Sequence, residues 1–289
     1  MAHHQAAQIR ALLKQKTVLL MPGVYDALSA KLAARAGFEV IFTTGYSLSA
    51  TLLGEPDFGL LTQTEMLAGA RRICGVVEQP VIVDADTGYG NAINVIRTVK
   101  ELIRAGAAGL FLEDQVWPKR CGHMKGKAVI PLEEHLKKLT AALEAREGGD
   151  LFVVARTDAR QALGLKEAIR RGVAFKHEGA DAVFIEAPET KEEMREIAQA
   201  VPGPLVANMI ERGVTPLMSP EELSELGFQM IVWPLAPLYA SAKALKEVYG
   251  TLRAQGTTQG ILDRLMPFDE FHEVVGLGEK YALDARYRS

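Results

Sequence analysis

The sequence of 289 residues is long enough to bury a large hydrophobic core, and 48% of its residues are hydrophobic. Its 33 basic and 36 acidic side chains leave a formal net charge of −3, which provides no overall field for binding nucleic acid or an anionic membrane. No run reaches the roughly 18 apolar residues that a membrane span needs, and the N-terminus lacks the hydrophobic segment of a signal peptide. We therefore expect a cytoplasmic protein that acts on a small molecule.

Short β-branched runs alternate with longer amphipathic segments along almost the whole chain. Eight continuous apolar runs are typical of strands buried on both faces, and the segments between them are typical of crossover helices. The runs are VLLMPG, VIFTTG, VIVDADTG, AGLFLED, FVVARTD, AVFIEA, PLVANMI and MIVWPL. This pattern predicts an α/β fold, a (β/α)8 barrel, as a single domain over residues 1–289. Residues 256–289 form a surplus helical extension, whose apolar side chains predict packing on a neighbouring subunit.

Polar residues follow most of the eight runs, at the strand ends where such barrels build their active sites. We expect these side chains to converge on one mouth. They are Thr44, Gly45 and Tyr46 after the second run, Asp84 and Asp86 after the third, Glu113 and Asp114 after the fourth, Arg156 and Asp158 after the fifth, Glu186 after the sixth and Asn208 after the seventh.

The acidic residues among them predict a metal site. Asp84 and Asp86 are two residues apart, so an extended strand would point both carboxylates to one face. Glu113 adds a third carboxylate, and the three would repel strongly unless a cation lay among them. An all-oxygen set suits Mg²⁺, or Mn²⁺, better than zinc. The alternative is that these aspartates cap a helix or hydrogen-bond the turn.

Arg156 ends an otherwise apolar strand, and a buried guanidinium there can hold a planar anion such as a substrate carboxylate through two hydrogen bonds. Glu186 can hold that arginine in place, and Asn208 can donate to the same anion. The alternative is an internal ion pair of Arg156 with Asp158 or Glu186.

A stretch between the fourth run and the next helix carries the sequence KRCGHMKGK, from Lys119 to Lys127. Cys121 lies there among cations, which favour its thiolate form, and nothing in a chain with two cysteines suggests a secreted disulfide framework. Gly122 and Gly126 predict a loop that moves. We interpret Cys121 as an acid carried on this loop, with His123 beside it to stabilise negative charge on a substrate.

Three further residues with reactive side chains are predicted to be structural. Cys74 lies near a helix end and is expected to be a plain buried residue. His135 and His177 lie in helical patterns and are expected at the surface or in packing.

With DADTGYG, FLEDQVWPKRCGHMKGK and ARTDA in view, the chain resembles the isocitrate lyase and phosphoenolpyruvate mutase superfamily over nearly its whole length. TTGYSLSATLLGEPDFGLLT together with EDQVWPKRCGHMKGKAVIP looks most like the alkylmalate-cleaving lyases, of the 2,3-dimethylmalate and methylisocitrate lyase type. The resemblance implies a barrel whose last helix is exchanged between subunits, a homotetramer built as a dimer of dimers, and a magnesium site.

The resemblance also implies roles for individual residues. Asp86 is expected to be the direct metal ligand, and Asp57, Asp84 and Glu113 are expected to act mainly through bound water. Cys121 matches the proton-donating cysteine of the lyases, which the superfamily's mutases and phosphonopyruvate hydrolases are expected to lack. The expected substrate-binding residues are Thr44, Gly45, Tyr46, Lys119, Gly122, His123, Arg156, Glu186 and Asn208.

Differences from the methylisocitrate lyases narrow the range of substrates that we expect. Two arginines that hold the extra carboxylate in those enzymes align with Tyr239 and Phe268 here, and their NIT triplet is Asn208, Met209 and Ile210. A third carboxylate would be costly to bury against these side chains, whereas an alkyl group would be favoured.

The resulting hypothesis is a magnesium-dependent carbon–carbon lyase that cleaves an alkylmalate to a 2-oxo acid and a carboxylic acid, with Cys121 as proton donor and Tyr46 or Glu113 as candidate base. The alternatives are an oxaloacetate hydrolase or decarboxylase, or a methylisocitrate lyase, on the same site. A phosphonomutase is disfavoured by Cys121, and a non-catalytic dicarboxylate-binding barrel is disfavoured by the intact metal carboxylates.

Overall fold

The computed structural model describes residues 5–124, 126–146 and 150–288. Eight parallel strands close into a barrel in the order β1 to β8, and β8 pairs with β1. This closed barrel confirms the predicted (β/α)8 architecture, and each strand coincides with one of the eight apolar runs, with β1 continuing one residue past its run to Val24. The strands are β1 Leu19–Val24, β2 Ile41–Thr43, β3 Val81–Asp84, β4 Gly109–Glu113, β5 Phe152–Thr157, β6 Ala182–Ile185, β7 Leu205–Asn208 and β8 Met230–Trp233.

Helices surround the barrel and extend beyond it. They are α1 Gln5–Gln15, α2 Ala27–Arg35, α3 Gly45–Leu48, α4 Gln63–Cys74, α5 Ala92–Ala105, α6 Leu132–Ala145, α7 Ala159–Leu163, α8 Leu165–Glu178, α9 Lys191–Ala200, α10 Pro220–Leu226, α11 Ala236–Gln255, α12 Phe268–Val275 and α13 Leu277–Tyr287. A π-helical turn spans Ser49–Leu53, and a 3-10 segment spans Gln259–Arg264. In the part of the chain that the structure describes, no helix has the length and apolar character that crossing a membrane requires.

Side chains alternate between the barrel interior and the layer under the helices, as the pleat of a strand requires. On β4, Phe111 belongs to the interior cluster, whereas Leu110 and Leu112 belong to the cluster shared with the helices. Glu113 is the next residue of the inward series. The same two-residue step places Thr44 after Phe42, Asp84 after Ile82, Arg156 after Val154, Glu186 after Phe184 and Asn208 after Val206.

Helix α1 closes the N-terminal end of the barrel. Its Ala6 and Ile9 are fully buried in the interior cluster, and Arg10 Nε donates to Asp181 Oδ1 over 3.0 Å. A barrel filled from below in this way leaves its open end at the C-terminal ends of the strands, where the polar residues lie.

The C-terminal helices pack little on the barrel of their own chain. No residue of α11 or α13 is buried, and α11 exposes Leu245 by 49% and Tyr249 by 64%. Apolar side chains left this exposed along a 20-residue helix are typical of a surface that another subunit covers. The exchange of a helix between subunits and the packing of residues 256–289 stay predictions.

Candidate active site

Four carboxylates gather at the ends of β3 and β4 and in the loop before α4; we call Asp57, Asp84, Asp86 and Glu113 the carboxylate cluster. All four are at least 94% buried. Asp84 ends β3, and its Oδ2 accepts from the backbone N–H of Gly45 over 3.2 Å. The first turn after β2 is therefore tied to the end of β3.

Asp86 reaches this cluster by a turn rather than by an extended strand. Its φ is +48°, in the left-handed region, and its N–H donates to Asp84 Oδ1 over 3.1 Å. The expectation that both aspartates extend from one strand face is therefore wrong in its geometry, because β3 ends at Asp84. The two carboxylates nevertheless meet, since a Cβ on Gly45 would lie 3.0 Å from Asp86 Oδ1 and 3.5 Å from Asp84 Oδ2.

Lys119 inserts its ammonium group into the carboxylate cluster. Its Nζ lies 2.7 Å from Asp57 Oδ2 and 2.7 Å from Asp86 Oδ1, and its side chain is 4% exposed. Burial opposes the charge, but Asp86 and Asp57 outweigh it and hold the pKa of Lys119 well above its ordinary value. The cluster therefore accommodates a positive charge at this point.

One lysine does not balance four acids, and the pKa directions show it. Burial, opposed by Lys119 and reinforced by Asp84 and Asp57, raises the pKa of Asp86 to about 6. Burial raises the pKa of Glu113 well above its usual range despite Arg156. Both Glu113 oxygens are buried without an aligned hydrogen-bond donor among the described residues. A further cation would relieve both shortages.

The donor set fits a hydrated hard cation. Within residues 5–124, 126–146 and 150–288, no three acidic, histidine or cysteine side chains are arranged to hold one ion directly. Carboxylate oxygens that share an ion through water suit Mg²⁺, which keeps several of its waters. This arrangement fits one direct ligand with the other acids acting through water.

The other side of the site is built around Arg156; we call His123, Lys127, Arg156, Asp158, Glu186 and Asn208 the arginine cluster. Arg156 donates from Nε to Asp158 Oδ2 over 2.8 Å and from Nη2 to Asp158 Oδ1 over 3.1 Å. It also lies 3.3 Å from Glu113 Oε2 and 3.3 Å from Glu186 Oε2. The internal ion pair, the alternative that the sequence left open for Arg156, is therefore present.

Glu186 is held by Arg156, Asn208 and His123. Asn208 Nδ2 donates to its oxygens over 3.2 and 3.3 Å, and His123 Nε2 lies 3.2 Å from Oε1. Because the N–H of Val214 donates to His123 Nδ1 over 2.9 Å, the ring proton belongs on Nε2 and faces Glu186. Burial opposes the charge, but Arg156 and His123 hold the pKa of Glu186 well below its ordinary value.

Two strand-end acids do not face the mouth, which corrects the expectation that all of them converge there. Asp114 accepts from Thr157 Oγ1 over 2.6 Å and pairs with Arg171 of α8 over 2.8 Å. It follows Glu113 and so points to the other side of the strand, under the helices. Asp158 forms ion pairs with Arg156 and Lys127. These two cations outweigh the effect of burial and lower the pKa of Asp158.

Cys121 lies over the cavity on a backbone pinned at both ends. Its N–H donates to the Asp57 carbonyl over 3.2 Å, and its own carbonyl accepts from Met124 N–H over 2.9 Å. Burial raises the pKa of the thiol to about 11. The expectation that the cationic neighbours favour the thiolate is therefore wrong, because the thiol is 9% exposed and burial outweighs the nearby charge. A thiol that keeps its proton is suited to act as an acid.

Contacts on either side fix the peptide that follows Cys121. A Cβ on Gly122 would lie 2.4 Å from Glu186 Oε2, so only glycine allows this approach. Lys127 Nζ donates to the Gly122 carbonyl and lies 2.7 Å from Asp158 Oδ1, with both side chains fully buried. Lys127 thus connects the Cys121 segment to the end of β5.

The two clusters and Cys121 enclose a cavity of about 40 Å³. Eleven of the residues that the sequence proposed for the site line it: Thr44, Tyr46, Asp57, Asp84, Lys119, Cys121, Gly122, His123, Arg156, Glu186 and Asn208. The other three, Gly45, Asp86 and Glu113, lie one contact away, behind Asp84, Lys119 and Arg156. The structure brings the whole set together, and the individual catalytic and binding roles stay predictions.

An apolar wall completes the cavity and supports the alkyl-binding interpretation. It consists of Phe42, Phe111, Phe184, Ile210, Val232, Pro234 and Leu235. Tyr239 stands at the rim, where its hydroxyl lies 3.5 Å from that of Tyr46. Phe268 does not line the cavity of its own chain and is 76% exposed on α12, so its place opposite the substrate stays a prediction for the assembled enzyme.

Sequence reasoning missed Lys127 and Tyr89. Lys127 lies in the quoted KRCGHMKGK stretch, but nothing in that stretch marks it as the partner of Asp158. Tyr89 lies in DADTGYG, and its hydroxyl donates to Asp86 Oδ2 over 2.9 Å. A tyrosine three residues after an aspartate in a glycine-rich turn was the available signal.

The residues predicted to be structural lie outside the site. Cys74 ends α4 and is half-buried rather than buried; burial raises its pKa to about 12. His135 is fully buried against Phe175, with ring centroids 4.7 Å apart, and is a packing residue. His177 is exposed on α8.

Comparisons with known proteins show the family of this chain. Residues 9–253 match the family model of phosphoenolpyruvate phosphomutase. The chain is 52% identical to the chloroplastic carboxyvinyl-carboxyphosphonate phosphorylmutase of Arabidopsis thaliana, over 96% of this chain and 83% of the relative. It is 49% identical to the petal death protein of Dianthus caryophyllus, over 96% and 88%, and 45% identical to the 2,3-dimethylmalate lyase of Eubacterium barkeri, over 98% of both chains.

Solved structures show the same fold. A crystal structure of 2,3-dimethylmalate lyase superposes with a TM-score of 0.92 at 38% identity, over 98% of this chain and 95% of that one. Oxaloacetate acetylhydrolase in complex with 3,3-difluorooxalacetate gives 0.92 at 38% identity, over 98% and 97%. Phosphonopyruvate hydrolase in complex with oxalate and Mg²⁺ gives 0.88 at 31% identity, over 98% and 99%.

Proposed function

Because the chain belongs to the phosphoenolpyruvate phosphomutase family, we propose that it is a carbon–carbon lyase that uses a divalent metal, Mg²⁺ or Mn²⁺, to cleave an alkylmalate such as 2,3-dimethylmalate. The products are a 2-oxo acid and a carboxylic acid. The observation that carries the proposal is Cys121, a buried thiol with a raised pKa that lines the cavity between the carboxylate cluster and the arginine cluster. The relative with 98% coverage of both chains is itself a 2,3-dimethylmalate lyase.

The cation belongs to the carboxylate cluster, where Asp86 would hold it and the other acids would hold its waters. When bound, the metal supplies positive charge that lowers the pKa of the substrate hydroxyl. Tyr46 lines the cavity and Glu113 lies behind Arg156, and these two are the candidates for accepting the hydroxyl proton.

The bond between C2 and C3 of the substrate then breaks, and its electron pair becomes an enediolate on the departing carboxylic acid. The arginine cluster faces this fragment: Arg156 and Asn208 line the cavity and are held by Glu186. Preorganised donors stabilise such developing charge without reorganising. The Cys121 thiol gives its proton to C3, which completes the carboxylic acid.

The lining of the cavity favours an alkyl substituent over a third carboxylate. The cationic residues that line it, among those described, are Lys119 and Arg156, and each already has a carboxylate partner. His123, which also lines it, faces Glu186. A further carboxylate against Ile210 and Leu235 would be buried without a cation of its own. A methyl or longer alkyl group loses no partner there.

The test is a panel of malate, citramalate, 2,3-dimethylmalate, longer alkylmalates, methylisocitrate and oxaloacetate with MgCl₂, followed by release of 2-oxo acid. We expect the highest kcat/KM with an alkylmalate. A second candidate, oxaloacetate hydrolysis, is favoured by the likeness to oxaloacetate acetylhydrolase. Consumption of oxaloacetate alone, with oxalate and acetate as products, would replace the lyase proposal by this one.

We also propose that the enzyme is a homotetramer, a dimer of dimers in which the exposed apolar faces of α11 and α12 are covered by other subunits. The unburied α11 supports this proposal. Light scattering after gel filtration measures the mass in solution, and a mass near 31.5 kDa, that of one chain, would contradict it.

A further inference from the structure

The turn after β3, residues 84–90, is bound tightly around Asp86. Asp86 and Tyr89 both have positive φ, +48° and +62°. Left-handed backbone is uncommon for a bulky residue such as tyrosine and persists where the surroundings impose it. The imposed conformation brings the Tyr89 phenol back onto Asp86, where it donates to Oδ2 over 2.9 Å.

The two carboxylate oxygens of Asp86 have different partners. Oδ2 accepts from Tyr89, whereas Oδ1 lies 2.7 Å from Lys119 Nζ and pairs with that ammonium group. The oxygen beside the cation of Lys119 is thus the one that Tyr89 leaves free. Rotation of the carboxylate would break the bond to Tyr89.

The Tyr89 ring is itself held by Trp117, which lies four residues before Cys121 in the chain. The Trp117 ring packs against it edge-on, with centroids 5.7 Å apart. On the other side of the turn, a Cβ on Gly88 would lie 2.5 Å from Val95, so α5 leaves the backbone no room. Backbone and ring contacts together fix where the hydroxyl points.

We propose that Tyr89 is a positioning residue that fixes the Asp86 carboxylate with Oδ1 toward the site and thereby sets the affinity for a divalent cation. This inference rests on the proposed function only in assigning the cation to Asp86. Hydrogen-bond partners of ligating carboxylates orient the ligand, and losing one lowers metal affinity about 10- to 100-fold.

The experiment compares Tyr89→Phe with Tyr25→Phe, a matched loss of one hydroxyl from a half-buried tyrosine that lines the groove beside α2. Free Mn²⁺ is titrated into each purified full-length protein and followed by its electron paramagnetic resonance signal. We expect Tyr89→Phe to bind Mn²⁺ about 10- to 100-fold more weakly than the native protein, and Tyr25→Phe to match the native protein. At saturating Mn²⁺, kcat of Tyr89→Phe should recover to near the native value, because the ligands remain.

Any other result of this experiment would contradict one part of the proposal. Native-like Mn²⁺ affinity in Tyr89→Phe would overturn the positioning role while leaving the metal proposal intact. Absence of Mn²⁺ binding to the native protein would overturn the metal proposal itself. A lowered kcat that saturating Mn²⁺ does not restore, or loss of the folded state by circular dichroism, would make the hydroxyl a structural group.

Discussion

The carboxylate cluster and the arginine cluster lie at neighbouring strand ends, yet two equally buried acids in each have pKa values that shift in opposite directions. Asp86 and Glu113 have raised pKa values, whereas Asp158 and Glu186 have lowered ones, and all four are at most 1% exposed. Burial alone therefore does not decide the charge state of an acid in this protein. The supply of cationic partners decides it.

The partners are distributed unevenly between the two clusters. Asp158 pairs with both Arg156 and Lys127, whereas Lys119 alone is shared by Asp57 and Asp86. The arginine cluster carries its own compensation and can act as a rigid frame for a substrate carboxylate. The carboxylate cluster is short of positive charge, and this shortage is the physical reason for assigning the metal to it.

The largest expected effect follows from removing the proposed direct ligand. Asp86→Ala should lower kcat/KM for 2,3-dimethylmalate at least about 1,000-fold, because charge stabilisation by a bound metal is worth several kcal/mol. Steady-state kinetics with MgCl₂ and in chelator-stripped buffer measure the loss, with the exposed Asp263→Ala as control. If Asp86→Ala turned over at the native rate in chelator-stripped buffer, the carboxylate cluster would not be the site of a catalytic metal.

The next effect concerns Cys121, which stands between the two clusters. Cys121→Ser should lower kcat for an alkylmalate about 100- to 10,000-fold, the range of general acid–base catalysis, because a hydroxyl gives up its proton far less readily. Substrate binding, measured by calorimetry, should change much less. Cys74→Ser, outside the cavity, should leave kcat unchanged. Near-native cleavage by Cys121→Ser would show that Cys121 is not the proton donor.

A paired substitution tests the comparison itself. Glu113→Gln and Glu186→Gln each replace one buried carboxyl group by an amide of the same shape. Mn²⁺ binding should weaken about tenfold or more in Glu113→Gln and change less than about twofold in Glu186→Gln, since only Glu113 is proposed to hold waters of the metal. Equal losses would mean that the two clusters share the cation.

The smallest effect concerns the rim of the cavity. Tyr239→Arg should raise the kcat/KM ratio of methylisocitrate to 2,3-dimethylmalate by up to about fivefold, because a partly exposed ion pair is worth about 1 kcal/mol. Phe268→Arg, outside the cavity of its own chain, serves as the comparison and should leave the ratio unchanged in a monomeric preparation. A response to Phe268→Arg in the assembled enzyme would place that residue at a neighbouring subunit's site.

Much of the architecture could be predicted from the sequence because it depends on local patterns. The eight apolar runs correspond to eight buried strands, and the two-residue step of a strand carries Glu113, Arg156 and Asn208 inward after the last apolar side chains. The same step explains why Asp114 faces the helices, which strand parity could have predicted. The motif around Cys121 placed that residue correctly over the site.

The sequence by itself thus determined the barrel, the end of it that carries the chemistry and the residues that gather there. Only the tertiary structure decided what each charge meets. Lys127 pairs with Asp158 across 31 positions of the chain, and Lys119 reaches Asp57 across 62. The pKa of the Cys121 thiol follows from its burial, which outweighs the adjacent cations. Strand periodicity is a property of neighbouring residues, whereas charge compensation and desolvation depend on groups that meet only when the barrel closes.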